Sequence, residues 1–300
     1  MINAILMVTL VVADLGAAER AYIDWLGFRL TDRGTVTTQQ AADWNTTAVA
    51  GSRYAILQSA SGAEVYLRLI ERPPTEGFAA MRTHGWNSNE ILVEDPAALE
   101  RKFAAADSPF RVIGPTAPLG SNSTVIAMQV LGPAGELNYF TRIPPEGGTF
   151  IKTPARTFVD RSFIVVLGGP SMAAMRRFYA EVLGNAPTSP YLSTVSVLQE
   201  ALDLPKDTQT ALALVPISPG FLIELDEYPP VTTPRPRRPD DLPPGMAMVS
   251  FTVDDLAARP IAWHAKPVVR REAPYQGRRA GIVLGAAGEW IELVERRIDK

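Results

Sequence analysis

Val12-Ala13-Asp14-Leu15 followed by Tyr22-Ile23-Asp24-Trp25-Leu26-Gly27-Phe28 holds, in one stretch, a strand end, a helix start and a helix stop. The apolar run Ile5-Leu6-Met7-Val8-Thr9-Leu10-Val11-Val12 before it reads as a buried strand rather than a leader, because no basic residue precedes it and Asp14 interrupts it early. A carboxylate at Asp14 can accept from the free amides of a first helical turn, so it is a natural N-cap. Ala17, Ala18, Ala21, Tyr22 and Trp25 then recur on one helical face. Gly27 closes the helix, since a left-handed terminal residue costs glycine least.

The plan recurs three more times. Ile91-Leu92-Val93 leads to Asp95-Pro96, an N-cap with proline at the first helical position, and on to Leu99 and Phe103. Phe163 to Leu167 precedes Ser171, after which Met175, Phe178 and Tyr179 lead to Leu183-Gly184. Val249 to Val253 reaches Asp255, where Pro260 truncates the helix. Each unit ends in a strand launched from a turn glycine: Gly62 to Leu67, Gly135 to Phe140, Gly220 to Leu225 and Gly288-Glu289-Trp290-Ile291-Glu292-Leu293. Proline-rich stretches separate the units, the segment from Pro144 to Pro154 being the best domain boundary. Arg235-Pro236-Arg237-Arg238-Pro239 lies in another and reads as a solvated linker.

Composition narrows the chemistry. The 300 residues carry 29 Lys plus Arg against 32 Asp plus Glu, a net charge of -3 that lacks the footprint of a nucleic-acid binder. No apolar run has the length of a membrane span. Cys is 0, which excludes disulfides, thiolate catalysis and zinc–thiolate sites and fits a reducing cytoplasm. His is 2, namely His84 and His264, both read as loop or surface residues. No phosphate-binding glycine loop or serine nucleophile elbow occurs.

A βαβββ unit used four times, with a helix ending Tyr-x-x-x-Leu-Gly and a last strand written Gly-x-x-Ile-Glu-Leu, resembles the vicinal oxygen chelate superfamily of glyoxalases, bleomycin-resistance proteins and extradiol dioxygenases. The resemblance implies an α+β fold of four modules making two glyoxalase-like domains with cleft-shaped mixed sheets. The domains would be 1–145, with modules about 1–74 and 84–145, and 156–300, with modules about 158–228 and 245–298. It also implies a divalent metal held by a histidine on a module's first strand and a glutamate on its fourth. Counting back seven residues from the helix cap selects Met7, Ser88, Ile164 and Met248, none a histidine. Counting four residues past the turn glycine selects Tyr66, Tyr139, Glu224 and Glu292. No resident cofactor is therefore expected; Glu224 and Glu292 are the only candidates for a weakly bound divalent ion, and extradiol ring cleavage is disfavoured.

If the strand before Asp95 runs unbroken, alternation points His84, Trp86, Ser88 and Glu90 into a cleft. Glu90 is then a carboxylate on an apolar wall, whose raised pKa suits a general base. Tyr139 joins it as a catalytic candidate, and Tyr66, Arg68, Ser88, Trp86, Met7 and Trp290 would line the substrate site. Tyr66, Arg68, Ser88, Glu90 and Tyr139 are expected in one cleft between modules one and two; the alternative pairs one with four and two with three. Two functions follow. The first is a lyase- or isomerase-like enzyme that moves a proton beside the carbonyl of a small hydrophobic or aromatic molecule without the usual metal. The alternative is a metal-free protein that sequesters an aromatic compound. Either has a small molecule, not nucleic acid or membrane, as its partner; oligomeric state is left open.

Overall fold

A computed structural model describes residues 1–119, 124–257 and 260–296. The first module comprises β1 (Ile2–Val12), α1 (Leu15–Leu26), β2 (Arg29–Thr35), α2 (Thr38–Asp43), β3 (Arg53–Gln58) and β4 (Tyr66–Glu71). The second has β5 (Gly85–Val93), α3 (Pro96–Phe103), β6 (Arg111–Pro118), β7 (Ile126–Leu131) and β8 (Leu137–Arg142). The third runs through β9 (Val159–Gly169), α4 (Met172–Glu181), β10 (Tyr191–Ser193), α5 (Ser196–Leu202), β11 (Thr210–Ser218) and β12 (Phe221–Glu227). The fourth has β13 (Met246–Val253), β14 (Ala265–Val269), β15 (Arg279–Leu284) and β16 (Trp290–Glu295). Among the described residues Asp255 heads no helix; residues 258 and 259 lie outside them.

The expected caps form. Asp14 accepts from the Ala17 amide at 2.9 Å, Asp95 from Ala98 at 3.0 Å and Ser171 from Ala174 at 3.2 Å. Gly27 takes φ 73°, closing α1. No helix among the described residues is long and apolar enough to cross a membrane.

The strands make two 8-stranded sheets, ordered β14-β15-β16-β13-β1-β4-β3-β2 and β10-β11-β12-β9-β5-β8-β7-β6. Module one thus shares the first sheet with module four through antiparallel β1 and β13. Modules two and three share the second sheet through β5 and β9. The expected cleft between modules one and two does not form, and the halves 1–145 and 156–300 are not the units that share a sheet. Repetition makes the four first strands nearly equivalent partners, so patterning alone does not choose among them.

One core lies behind both sheets. Val8, Leu10 and Phe251 from the first sheet join Phe140, Val165 and Ile223 from the second, with Tyr22, Leu99 and Met175 from three helices. Polar ties cross it. The Tyr22 hydroxyl of α1 donates to Glu136, in module two, at 2.7 Å, and Tyr179 of α4 donates to Glu289, in module four, at 3.2 Å. Each carboxylate also accepts from its own turn, from the amides of Ala134 and Ala287, both at 2.8 Å. Glycine is needed beside them: a Cβ on Gly132 or Gly285 would stand 2.0 or 1.9 Å from a carboxylate oxygen. Burial pushes Glu289 up to about 7 and raises Glu136 as well.

The Arg235 patch is no free linker. Its guanidinium donates to the carbonyls of Trp86 at 2.6 Å and Met246 at 2.9 Å, stapling the module-three-to-four crossover over both sheets.

Tyr22→Phe and Tyr179→Phe each remove one donor from a buried carboxyl, so each is expected to cost about 1–3 kcal/mol in urea unfolding with no change of fold.

Candidate functional site

On the faces turned away from the shared core, four parallel pairs form equivalent rows: Thr9–Arg68, Glu90–Tyr139, Val166–Glu224 and Ser250–Glu292. Met7, Ser88, Ile164 and Met248 lie one row away, opposite Tyr66, Leu137, Leu222 and Trp290. Across the antiparallel seams Met7 lies opposite Ser250 and Ser88 opposite Val166, so these two positions counted from the caps fall in the rows of Glu292 and Glu224. Counting from the turn glycines succeeds in three modules and fails in the first. There β4 begins four residues after Gly62, whereas β8 and β16 begin two residues after Gly135 and Gly288. Arg68, not Tyr66, is the counterpart of Tyr139, Glu224 and Glu292.

The first-sheet row is sealed. Tyr275, from the loop between β14 and β15, accepts from Arg68 Nη1 at 2.8 Å and lies 2.9 Å from both oxygens of Glu292. Ser250 donates to the same carboxylate, and Arg68 Nε donates to Thr9 at 3.1 Å. The Trp44 ring covers the guanidinium at 4.6 Å. Thr9, Arg68, Ser250, Tyr275 and Glu292 are all at most 2% exposed, and the remaining cavity holds about 10 Å³, room for one water at most. Met7 and Tyr66 pack beside Tyr275. Of the expected substrate contacts, Met7 and Tyr66 thus stand among packed side chains, and Arg68 stands in a buried hydrogen-bonded network with Thr9 and Tyr275.

The second-sheet row differs because neither Tyr139 nor Val166 brings a positive charge. Glu90, 5% exposed, accepts from Thr141 Oγ1 at 3.1 Å. Glu224 lies on the same face two strands away and one row off, its neighbour Val166 standing opposite Ser88, while Glu90 stands opposite Ile164. Asp226, two residues on and so on the same face of β12, is 1% exposed, and neither of its oxygens makes a hydrogen bond of good geometry. Burial, then the nearby Glu224 charge, pushes Glu90 up to about 8. Burial lifts Glu224 to about 7. Asp226 is raised well above the usual range by burial and by both glutamates. Three phenols sense the group: Tyr139, Tyr228 and Tyr191, the last pushed up to about 12 by burial and by the three carboxyls. Leu92, Ile164 and Leu222 make one apolar wall; Leu137, Val197, Leu198 and Met81 make the other. Tyr191 is 45% exposed and Glu224 and Tyr139 are half-buried, so the group comes nearest to solvent beside β10.

The remaining expected residues disperse. Ser88 is buried on the cleft face one row from Glu90. Trp86 is turned the other way: a bulge pairs Trp86 with Leu167 and Ser88 with its neighbour Val166, reversing alternation. Its indole packs on Phe251 in the shared core and donates to the Trp290 carbonyl at 2.8 Å. Trp290 is buried in the first sheet under His264, ring centroids 4.6 Å apart, so His264 is a packing residue rather than a surface one. His84 bonds Thr232. Glu224 and Glu292 stand in different sheets and do not share an ion. Asp226 was legible by the alternation that exposes Glu224; Tyr191, Tyr228 and Tyr275 come from a short edge strand and from loops, where periodicity places nothing.

Neither row offers the histidine-and-glutamate set of the resembling metal centres. Among the described residues no three His, Asp or Glu side chains are disposed to hold one ion. The residues present do not fit that group, and no chemistry is routed through it.

Because folding holds protons on Glu90 and Glu224 that the unfolded chain releases near 4.5, stability is fully present below that pH and is lost as pH rises through about 7 and about 8. Glu90→Gln is expected to flatten this slope and to raise stability at pH 8 by about 1–3 kcal/mol, measured by denaturant unfolding across pH. Tyr275→Phe is expected to cost about 2–3 kcal/mol, because it withdraws a partner from two buried charges at once.

No family model matches the sequence, and no curated protein matches it. Solved structures do match. Glyoxalase I from Zea mays superposes with a TM-score of 0.58 at 15% identity, over 97% of this chain and 92% of that one. A point mutant of the same enzyme gives 0.61, also at 15% identity, with the same two coverages. A Bacillus subtilis protein provisionally described as a dioxygenase gives 0.60 at 13% identity, over 98% of this chain and 85% of that one. With the sheet order and the fourfold repeat, these likenesses give the chain the vicinal oxygen chelate fold, in its two-sheet, four-module form.

Proposed function

We propose that the second-sheet cleft binds a small hydrophobic or aromatic carbonyl compound and moves a proton beside its carbonyl, a lyase- or isomerase-like reaction that uses carboxyls in place of a metal centre. The observation that carries this reading is the pair of carboxyls on one sheet face, Glu90 at about 8 and Glu224 at about 7, close enough for the Glu224 charge to raise Glu90 and set among apolar side chains beside the exposed Tyr191. Near neutral pH Glu90 holds its proton and Glu224 is partly ionised. The base role expected for Glu90 therefore passes to Glu224, which takes the proton from the carbon next to the carbonyl. Glu90 returns a proton to the resulting enol, and the un-ionised phenols of Tyr139 and Tyr191 donate to the carbonyl oxygen. Asp226, kept protonated, adds no charge that would disfavour ionisation of Glu224.

The apolar walls also suit a protein that only sequesters an aromatic ligand, and one experiment separates the two. Deuterium uptake from D2O into phenylpyruvate and phenylacetaldehyde, followed by NMR, is expected to be accelerated, with a bell-shaped pH profile between about 7 and about 8. Glu224→Gln should remove the acidic limb with exchange, and Glu90→Gln should lower kcat by about 100-fold while KM changes little. Saturable binding of these probes without accelerated exchange at any pH would overturn catalysis in favour of sequestration.

A further inference from the structure

A groove of about 1080 Å³ lies outside both clefts, where the ends of β1 and β13 meet the crossover that links modules two and three. Four arginines line it: Arg156, Arg161, Arg278 and Arg296. Two are built into the protein. Arg161, 8% exposed, donates to Asp160 at 2.9 Å and to Thr153 at 3.1 Å and lies over the Phe221 ring. Arg278, 7% exposed, donates to the carbonyls of Tyr275 at 2.9 Å and Pro274 at 2.7 Å. The other two stand at the rim with side chains 54% and 58% exposed.

Charge compensation here is incomplete and loose. Asp160 is the carboxylate partner of both Arg156, at 3.5 Å, and Arg161. Arg278 pairs with Glu64 at 3.0 Å and Arg296 with Asp254 at 2.8 Å, but those carboxylate side chains are 52% and 59% exposed, where an ion pair is worth little and can be exchanged for another anion. Fixed inner guanidiniums, adjustable outer ones and a volume far beyond one ion describe a receptor for an extended anion.

We propose that this groove binds an acidic small molecule carrying at least two carboxylate or phosphate groups, held by Arg161 and Arg278 at its floor and by Arg156 and Arg296 at its rim. The site is separate from the carboxyl cleft, whose negative character suits no such ligand, and the two proposals stand or fall independently.

Titration calorimetry of the intact chain with citrate and with inorganic pyrophosphate, at low salt, tests it. Saturable one-to-one binding of at least one probe is expected, with Kd below about 1 mM, weakening steeply toward 0.5 M salt. The rim double variant Arg156→Gln with Arg296→Gln should weaken binding about 10-fold or more and leave melting unchanged, since both side chains are exposed. Glu64→Gln should tighten binding, because Arg278 loses its competing carboxylate; a purely structural role for these residues would give no such gain. Arg177→Gln, on the exposed face of α4, should change nothing. Preference between the probes tells carboxylate from phosphate chemistry. Absence of saturable binding by both probes, or binding that survives the rim double variant, would overturn the proposal.

Discussion

Two buried phenol-to-carboxylate contacts hold the architecture in register: Tyr22 with Glu136, and Tyr179 with Glu289. A carboxyl removed from water costs several kcal/mol unless its oxygens are bonded, and each of these is bonded by a turn amide and by a tyrosine from another module. The sheets join module one to four and two to three; the phenols join one to two and three to four. The ring of modules is thereby closed. Repositioning any one of them would leave a carboxyl without its donor in the centre of the common core.

With the backs of both sheets committed to that core, their other faces are left to diverge, and charge explains how. Equivalent parallel pairs carry Thr9 with Arg68 and Ser250 with Glu292 in one sheet, and Glu90 with Tyr139 and Val166 with Glu224 in the other. A cation near an anion allows Tyr275 to bridge them, and the first cleft fills with buried side chains. Two anions without a cation repel, and protonation is the remaining way to bury them, which is why the second cleft keeps proton-bearing carboxyls close to neutrality. Arg68 in place of a neutral or acidic residue thus separates a structural network from a candidate reaction site on the same scaffold. The arginine groove uses the opposite sign of charge at a third location, where the two sheets end.

Local order was written in the sequence. Asp14, Asp95 and Ser171 cap their helices, Gly27 ends α1, and the glycine-led strands form where the repeat puts them, because capping and alternation depend only on near neighbours. The strand faces of Glu90, Tyr139, Glu224 and Glu292 were legible for the same reason, as was the lack of histidine at every first-strand position counted. Tertiary structure alone decided which modules share a sheet, since four similar first strands offer similar apolar edges and the choice rests on contacts between segments far apart in the chain. It also decided the row. The longer entry to β4 brings Arg68 rather than Tyr66 opposite Thr9, and a bulge after Trp86 turns that indole into the core while Ser88 and Glu90 keep the cleft. A single inserted residue reverses a strand's alternation, and whether the chain absorbs it as a bulge or as a shift of register is settled by the partner strand.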